Sequence, residues 1–418
     1  MPQTITLLVT QSIYSDNPHM LQLPPLALYI HIPWCVKKCP YCDFNSHEPK
    51  NTSGGKRELP EAAYLQALEE DLRDSAQYAQ GRTLDSIFFG GGTPSIVSGA
   101  TIAACIEMAD RLVGISPNAE ITMEANPGTF EQEKFRDFRA AGVNRLSIGI
   151  QTFHPEHLTA LGRIHNRQEA IHACDIAREA GFNNINLDLM HGLPQQTHSD
   201  AIADLQQAIA LEPNHISWYE LTIEPNTTFY SNPPRLPSEN ILSTINDEGM
   251  ALLNDQGYSR YEISAYAKTA SSDTQAQTAS TWRSRHNMNY WEFGDYLGIG
   301  AGAHEKMTLL SEQHIIRRSK TRLPEHYIQR IGSRVASQST LNKDTLAFEF
   351  CMNALRLIDG VSTKIFETRT GRPIAELQHK LTSSVEGNLL EPIQQQIRPT
   401  QQGVLYLNTL LEELLPSD

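Results

Sequence analysis

Between residues 26 and 221, short apolar runs alternate with longer stretches of helical periodicity, and this alternation constrains the fold most strongly. The strand candidates are residues 27–32, 87–89, 121–124, 145–151, 185–190 and 216–221. Strands that are each followed by a helix form a parallel sheet, because parallel neighbours need a crossover connection. We therefore predict an α/β fold in which a partial (β/α)6 barrel of TIM type occupies residues 26–265.

The remaining sequence divides into three further regions. Residues 1–25 hold four prolines and no lasting periodicity, which predicts a loosely held N-terminal segment. Residues 266–339 form a connecting region, which opens with a Ser/Thr/Gln-rich surface loop at 268–281. Residues 340–418 are predicted to form an α+β domain. In that domain, helices at 346–355 and 374–381 and a strand at 403–407 suggest a winged-helix-like arrangement.

Composition limits the class of protein. Of 418 residues, 40% are hydrophobic, and the net charge of −14 argues against nucleic acid as a general partner. No apolar run approaches the about 18 residues of a membrane span, and residues 5–9 are too short for a signal peptide. We expect a soluble, cytoplasmic protein that is not an integral membrane protein. Three of its cysteines are expected to be small buried side chains: Cys105, Cys174 and Cys351.

The other three cysteines, Cys35, Cys39 and Cys42, lie in the loop after the first predicted strand. Thiolates this close in sequence can converge on one metal centre. A zinc site would need a fourth ligand, and neither His31 nor His47 completes a familiar zinc spacing. A [4Fe-4S] cluster held by three cysteines leaves one iron open to a ligand that is not protein.

The CxxxCxxC spacing of this loop resembles the signature of the radical S-adenosylmethionine superfamily, and the resemblance covers residues 26–265. It implies that S-adenosylmethionine chelates the open iron and is cleaved by one electron to a 5′-deoxyadenosyl radical. The superfamily keeps a glycine motif after the second strand, where this chain has Gly91, Gly92 and Thr93. Glycines there permit close approach of the methionine amino group, and Thr93 can accept its hydrogens.

Polar residues that end other strands are the further candidates for binding S-adenosylmethionine. Glu124, Gln151 and Asp188 suit its ribose hydroxyls and amino group, although they can also close hydrogen bonds inside the barrel. Arg163 is the candidate partner of the methionine carboxylate, with Arg167 as the alternative. Two aromatic residues are predicted to pack around the cluster and the adenine, or else to be core residues: Tyr29 and Tyr41.

Within the superfamily, Tyr29-x-His31-x-Pro33-x-Cys35 and the sequence at 192–194 resemble oxygen-independent coproporphyrinogen III oxidase and its relatives. That oxidase has a fourth cysteine two residues after the third, whereas this chain has Phe44. With Phe44 at this position, the chain resembles the HemW family, whose members act as haem chaperones. The resemblance extends through the C-terminal region of the chain.

A second motif, His286-Asn-Met-Asn-Tyr290-Trp291, resembles the HNxxYW sequence associated with haem in that family. The resemblance implies haem binding by His286, Tyr290 and Trp291. An imidazole can be an axial ligand of haem iron, and the aromatic rings offer flat surfaces to the macrocycle. The alternative is that the motif is a packed structural turn that binds no ligand. The basic run at 317–322 can pair with propionates, an anionic membrane or an acidic partner, or it can be a solvated strand edge.

The sequence is compatible with three functions. The first is a haem chaperone with a [4Fe-4S] cluster and S-adenosylmethionine that delivers haem to respiratory haemoproteins or membrane-associated acceptors, with peripheral attachment to the inner membrane as one localisation. The resemblance also implies homodimerisation accompanied by haem binding. The alternative is an oxidase that decarboxylates propionates of coproporphyrinogen III, and a radical enzyme for an unrelated small substrate is a third reading.

Overall fold

The computed structural model describes residues 20–49, 59–128, 132–269, 282–342 and 345–415. Within these residues, one twelve-stranded sheet runs through the molecule. Its centre is built from β1 (Leu26–Ile32), β2 (Leu84–Gly91), β3 (Ile115–Ala125), β4 (Arg145–Gln151), β5 (Ile185–His191) and β6 (His215–Glu220). These strands pair in chain order, each parallel to the next. The predicted partial (β/α)6 barrel is confirmed.

Helices cover this parallel sheet. They are α1 (Glu61–Ser75), α2 (Gly99–Leu112), α3 (Phe135–Ala141), α4 (Pro155–Ala160), α5 (Arg167–Glu179) and α6 (His198–Ala210). In β1, every residue except Tyr29 is buried, as expected for a strand covered on both faces. The capping boxes Asn166/Glu169 and Thr197/Asp200 satisfy free amides where α5 and α6 begin.

Further strands extend the sheet on both sides. After α7 (Thr228–Ser231) and α8 (Glu239–Asp255), the hairpin of β7 (Tyr258–Glu262) and β8 (Ala265–Lys268) pairs antiparallel with β6. After α9 (Arg285–Trp291), β9 (Asp295–Ile299) pairs parallel with β1. An antiparallel extension follows, with α10 (Pro324–Gln329) before its last strand: β10 (His304–Leu309), β11 (His314–Lys320) and β12 (Val335–Thr340).

The C-terminal region is mainly helical. It contains α11 (Leu346–Ala354), α12 (Thr363–Thr370), α13 (Ile374–Lys380), α14 (Thr382–Glu386), α15 (Gln401–Leu405) and α16 (Leu407–Glu412). Two short strands, β13 (Val361–Ser362) and β14 (Gln396–Ile397), pair antiparallel. Its core, around Phe350 and Phe366, continues into Tyr261 and Phe293 of the sheet region, so this region packs on the barrel.

Some expectations for individual elements are wrong. The strand predicted at 403–407 is helical, because the Thr400 hydroxyl accepts a hydrogen bond from the Gly403 amide and caps α15. The winged-helix arrangement therefore loses the strand on which its prediction depended. The second and third strands are longer than predicted, and β2 includes Gly90 and Gly91. Most of the N-terminal segment and of the 268–281 loop lies outside the described residues.

No helix in the described part of the chain is long and apolar enough to cross a membrane.

Candidate functional site

A cavity of about 620 Å³ opens at the carboxyl ends of the parallel strands. Loops after parallel strands meet at this edge of the sheet, which is where such folds bind ligands. The cavity brings together every site residue predicted from the sequence. These are Tyr29, Cys35, Cys39, Tyr41, Cys42, Gly91, Gly92, Thr93, Glu124, Gln151, Arg163, Asp188, His286, Tyr290 and Trp291.

The cysteine loop is closed at its base by hydrogen bonds. The Cys35 amide donates to the His47 carbonyl at 3.0 Å. The Asn45 side chain donates to the carbonyls of Ala301 and Arg322, both at 2.8 Å. These contacts attach the loop to the segments that follow β9 and β11, so its shape depends on residues up to 277 positions away along the chain.

The three thiols lie around one cavity, where Cys35 is buried and Cys39 and Cys42 are partly exposed. The Thr93 hydroxyl donates to Cys35 Sγ at 3.4 Å. Burial raises the pKa of the Cys35 and Cys42 thiols, so their thiolates need a metal cation as partner. Among the described residues, no three His, Cys, Asp or Glu side chains converge on a single metal ion. Three thiols spread around a cavity fit a larger iron–sulfur cluster.

The glycines at the end of β2 lie against the base of the cysteine loop. A Cβ on Gly91 would lie 2.5 Å from the His31 ring, and one on Gly92 would lie 2.5 Å from the Trp34 carbonyl oxygen. The Gly91 φ of +115° also strains any other residue. Only glycine therefore lets this turn pass so close to the loop while its backbone faces the cavity.

Two carboxyl groups, Glu124 and Asp188, face each other across the cavity floor. Burial and the charge of Asp188 raise the pKa of Glu124 to about 8, although the Gly91 amide donates to Glu124 Oε2 at 3.3 Å. Burial also raises the pKa of Asp188, against hydrogen bonds from Ser147 at 2.9 Å and Asn186 at 2.7 Å. A ligand amino group or hydroxyl here would find carboxyl acceptors, of which Glu124 has no positively charged neighbour to stabilise its ionised form.

As the pH increases from about 4.5 to 8, the free energy of unfolding of Glu124→Gln is expected to rise progressively relative to that of the wild type. The raised pKa of Glu124 means that the folded protein holds a proton that the unfolded chain releases near the ordinary value of 4.5. Its contribution is therefore complete below pH 4.5 and is lost as the pH rises through 8, by at most about 1.4 kcal/mol per pH unit.

Urea denaturation of both proteins at several pH values measures this difference. Glu133→Gln, on a carboxyl group outside the cavity, is the control and should show no such trend. A constant gap between Glu124→Gln and wild type across the range would contradict the assignment.

Of the two candidate arginines, Arg163 lines the cavity and Arg167 does not. Its guanidinium donates to the Gly149 carbonyl at 2.6 Å and to Asn126 Oδ1 at 2.7 Å. Its buried Nε has no hydrogen-bond partner among the described residues, so one donor is left for a ligand. Arg167 is exposed at the start of α5 and contacts Gln207.

Gln151 ends β4 in a conformation that non-glycine residues rarely adopt, with φ of +70°. The register of β4 against β5 shifts between Gly149 and Gln151, so that Ile150 has no partner in the ladder and Gln151 pairs with Leu189. The Tyr219 hydroxyl donates to Gln151 Oε1 at 2.8 Å and fixes the amide. Strain of this kind is concentrated at ligand sites.

His286 lies on α9, whose first turn is capped by the Ser284 side chain. The imidazole is buried and stacks on Phe88 with ring centroids 4.9 Å apart. Its Nδ1 is hydrogen-bonded to the Ser86 hydroxyl and its Nε2 to the Tyr290 hydroxyl, both at 3.0 Å. Burial lowers the pKa of His286 to about 3, so the ring is neutral. Iron ligation by this ring would require one of the two hydrogen bonds to break.

The end of α9 presents Trp291 to the cavity. The Arg356 guanidinium lies 4.5 Å from its ring centroid, and the buried indole Nε1 has no hydrogen-bond partner among the described residues. Met288 packs against the C-terminal core. Trp291 packs against the same core and also lines the cavity with Tyr290, whereas Met288 is not part of the lining.

Hydrogen bonds connect the carboxylate side of the cavity to the start of α9. Asn186 bridges Asp188 and His215, with His215 Nδ1 at 2.6 Å. His215 Nε2 contacts the Tyr261 hydroxyl at 2.8 Å, and this oxygen accepts the Ser284 amide at 3.2 Å. The two groups of predicted site residues thus share one hydrogen-bonded wall.

Several residues of this cavity were not predicted from the sequence. Asn126, which orients Arg163 and donates to Thr93 at 3.3 Å, follows a strand end, and that position was the available signal. Tyr219 at the end of β6 had the same signal. Ser147 and Asn186 lie within strands of ordinary pattern, and no local signal distinguishes them.

Comparison with known proteins agrees with this geometry. The model of the Radical SAM superfamily matches residues 29–208, and that of the HemN C-terminal domain matches residues 341–406. The chain is 46% identical over 396 residues to "Heme chaperone HemW" of Escherichia coli (strain K12). The aligned region covers 95% of this chain and 100% of the relative. This chain belongs to the HemW family. The resemblance inferred from Phe44 and the HNxxYW motif is confirmed.

More distant comparisons extend the same result. "Heme chaperone HemW" of Bacillus subtilis (strain 168) is 32% identical over 398 residues, covering 93% of this chain and 99% of the relative. The crystal structure of coproporphyrinogen III oxidase (HemN) from Escherichia coli aligns with a TM-score of 0.75 at 22% identity. It covers 96% of this chain and 91% of that chain. At this identity the likeness concerns the fold alone, and it confirms the predicted α/β barrel.

Proposed function

We propose that this protein is a haem chaperone that carries a [4Fe-4S] cluster with S-adenosylmethionine and delivers haem to respiratory haemoproteins. The observation that carries the proposal is the shared cavity, in which His286, Tyr290 and Trp291 lie with the three cysteines. The names of the HemW relatives support the same function. Haem and cluster would thus be handled at neighbouring positions of one site.

The residues of the cavity suit these groups. Cys35, Cys39 and Cys42 would hold the cluster, which supplies an electron to bound S-adenosylmethionine. Arg163 would pair with the methionine carboxylate, because its buried guanidinium has a free donor. Glu124 would accept the methionine amino group beside the Gly91 turn.

Phe44 supports the hypothesis of a haem chaperone over that of a coproporphyrinogen III oxidase. It lies where the oxidase family has a fourth cysteine, and its side chain is 58% exposed at the rim of the cavity. An exposed aromatic ring beside a cofactor site is a surface for a flat apolar ligand. The proposal includes delivery to membrane-associated acceptors, attachment at the inner membrane and dimer formation, which the family resemblance implies.

His286→Ala is expected to weaken haem binding by about tenfold, because the change removes the hydrogen bond that holds Tyr290 as well as any iron ligation by the ring. Titration of the cluster-loaded protein with haemin, followed by the Soret band, measures the affinity. His172→Ala, on a histidine of α5 outside the cavity, is the control. Identical titrations of wild type and His286→Ala would remove the motif from the haem site.

An anaerobic assay with reductant, S-adenosylmethionine and coproporphyrinogen III separates chaperone from oxidase. We expect no sustained formation of protoporphyrinogen, together with transfer of bound haem to an apo-haemoprotein acceptor. Steady turnover of coproporphyrinogen III would overturn the chaperone function.

A further inference from the structure

A second cavity, of about 590 Å³, adjoins the first between the cysteine loop and the end of α9. Its volume lies within the range of cofactor sites, roughly 300–1,000 Å³. Part of its lining is common to both cavities: Tyr29, Asp43, Phe44, Gly91, Glu124, Tyr290 and Trp291. The second cavity adds the side chains of Tyr296, His304 and Arg322. A ligand here would touch both the cysteine loop and the HNxxYW helix.

Several aromatic rings contribute to the walls of this cavity. Phe44 is exposed on the cysteine-loop side, and Tyr290 packs edge-to-face on Tyr296 with centroids 4.6 Å apart. Trp291 completes the lining at the end of α9. Such walls suit a flat, largely apolar macrocycle.

His304 begins β10 at the edge of this cavity, and its side chain is exposed. Its imidazole makes no hydrogen bond within the described part of the chain. Partial burial, together with the charges of Arg317 and Arg322, lowers the pKa of His304, which keeps the ring in the neutral form that binds metals. His286, by contrast, is buried with both ring nitrogens engaged.

One basic side chain of the 317–322 run remains for a ligand. Three others are bound to internal carboxylates, in the pairs Arg317–Glu349, Arg318–Glu305 and Lys320–Asp71. Arg322 lines the second cavity and is exposed, and its guanidinium makes no ion pair among the residues that the structure describes. It can therefore pair with a carboxylate of a bound molecule. Asp43 also lines the cavity, and its negative charge would repel a propionate, so propionates are expected on the side of Arg322.

We infer that the second cavity is the haem-docking site, in which the His304 imidazole is an axial ligand of the iron and Arg322 pairs with a propionate. In this arrangement His286 is a positioning residue that orients Tyr290 against the macrocycle. The inference rests on the proposed haem-chaperone function and names the ligand that the HNxxYW motif does not supply.

The test compares His304→Ala with His314→Ala in the full-length, cluster-loaded protein titrated with haemin. His314 lies at the other end of the same β10–β11 hairpin and pairs with Glu312 at 3.2 Å, which makes it a matched control. We expect His304→Ala to raise the Kd at least about tenfold and to lose the absorption and EPR signature of imidazole-ligated ferric haem that the wild type should show. Added imidazole should restore that signature in His304→Ala. His286→Ala should weaken binding but keep the signature.

Arg322 is tested with two substitutions and two ligands. Arg322→Ala should raise the Kd for haemin about two- to fivefold, and Arg322→Lys should recover part of the loss. Haemin dimethyl ester, which lacks charged propionates, should bind the wild type and Arg322→Ala equally.

The outcomes separate the inference from the function on which it rests. If the wild type binds haemin and His304→Ala keeps the wild-type affinity and spectrum, the docking site is wrong and the chaperone function stands. Failure of imidazole to restore the signature would also overturn ligation by His304. If the wild type binds no haemin, the proposed function itself is overturned.

Discussion

Replacing Cys35, Cys39 or Cys42 with alanine is expected to abolish the [4Fe-4S] cluster, with iron and sulfide content falling close to zero. With three protein ligands around the cavity, the loss of any one leaves a second iron without a thiolate. Anaerobic reconstitution followed by iron and sulfide analysis and EPR of the reduced protein measures the effect. Binding of S-adenosylmethionine should weaken in the same variants, because the open iron is absent.

Cys105→Ala provides the matched control for these variants. Cys105 is buried on α2, away from the cavity, and its thiol packs in the barrel core. The variant should lose some stability but keep the full cluster. A Cys39→Ala protein with wild-type iron content and EPR spectrum would refute the assignment of the three thiols.

Lys320→Met is expected to lower the free energy of unfolding by about 3–5 kcal/mol, because it leaves the buried Asp71 carboxylate without its cation, whereas Glu305 keeps Arg318. The Lys320 ammonium lies 2.6 Å from Asp71 Oδ1 and 3.2 Å from Glu305 Oε1, and all three side chains are fully buried. Asp71 belongs to α1 and Glu305 to β10, so this cluster fixes the sheet extension against the barrel.

Urea denaturation followed by circular dichroism gives the free energy. Arg73→Ala, which breaks the exposed pair with Glu69 on α1, should change it by less than about 1 kcal/mol. The double variant Asp71→Asn/Lys320→Met should recover part of the loss, since it removes both charges. Equal stabilities of Lys320→Met and Arg73→Ala would show that the cluster is not buried in solution.

The fold of the barrel could be predicted from the sequence because its signals are local. The alternation of apolar strands and amphipathic helices gave β4 (Arg145–Gln151) with correct ends. The C-terminal strand at 403–407 failed for the opposite reason. Its apolar pattern suits either structure, and the capping hydrogen bond of Thr400 decides for a helix.

The candidate site was predictable to the extent that it lies at strand ends. Parallel strands bring their carboxyl ends to one edge, so Glu124 and Gln151 had to lie near the cysteine loop once the sheet was assigned. Asp188, predicted as a strand-end residue, lies in the middle of β5, although it also lines the cavity. The choice between Arg163 and Arg167 was different. Both follow β4 in sequence, and only the packing of α5 shows which guanidinium enters the cavity.

The sequence by itself determined the barrel, the cysteine triad and the family, since each depends on spacing along one stretch of chain. Only the tertiary structure decided how distant residues combine. In the folded protein both ring nitrogens of His286 are hydrogen-bonded, whereas His304 is exposed in the cavity that Phe44 also lines. Most basic side chains of the 317–322 run are paired with internal carboxylates. Those outcomes depend on the desolvation and pairing of groups far apart in the chain, which no local pattern records.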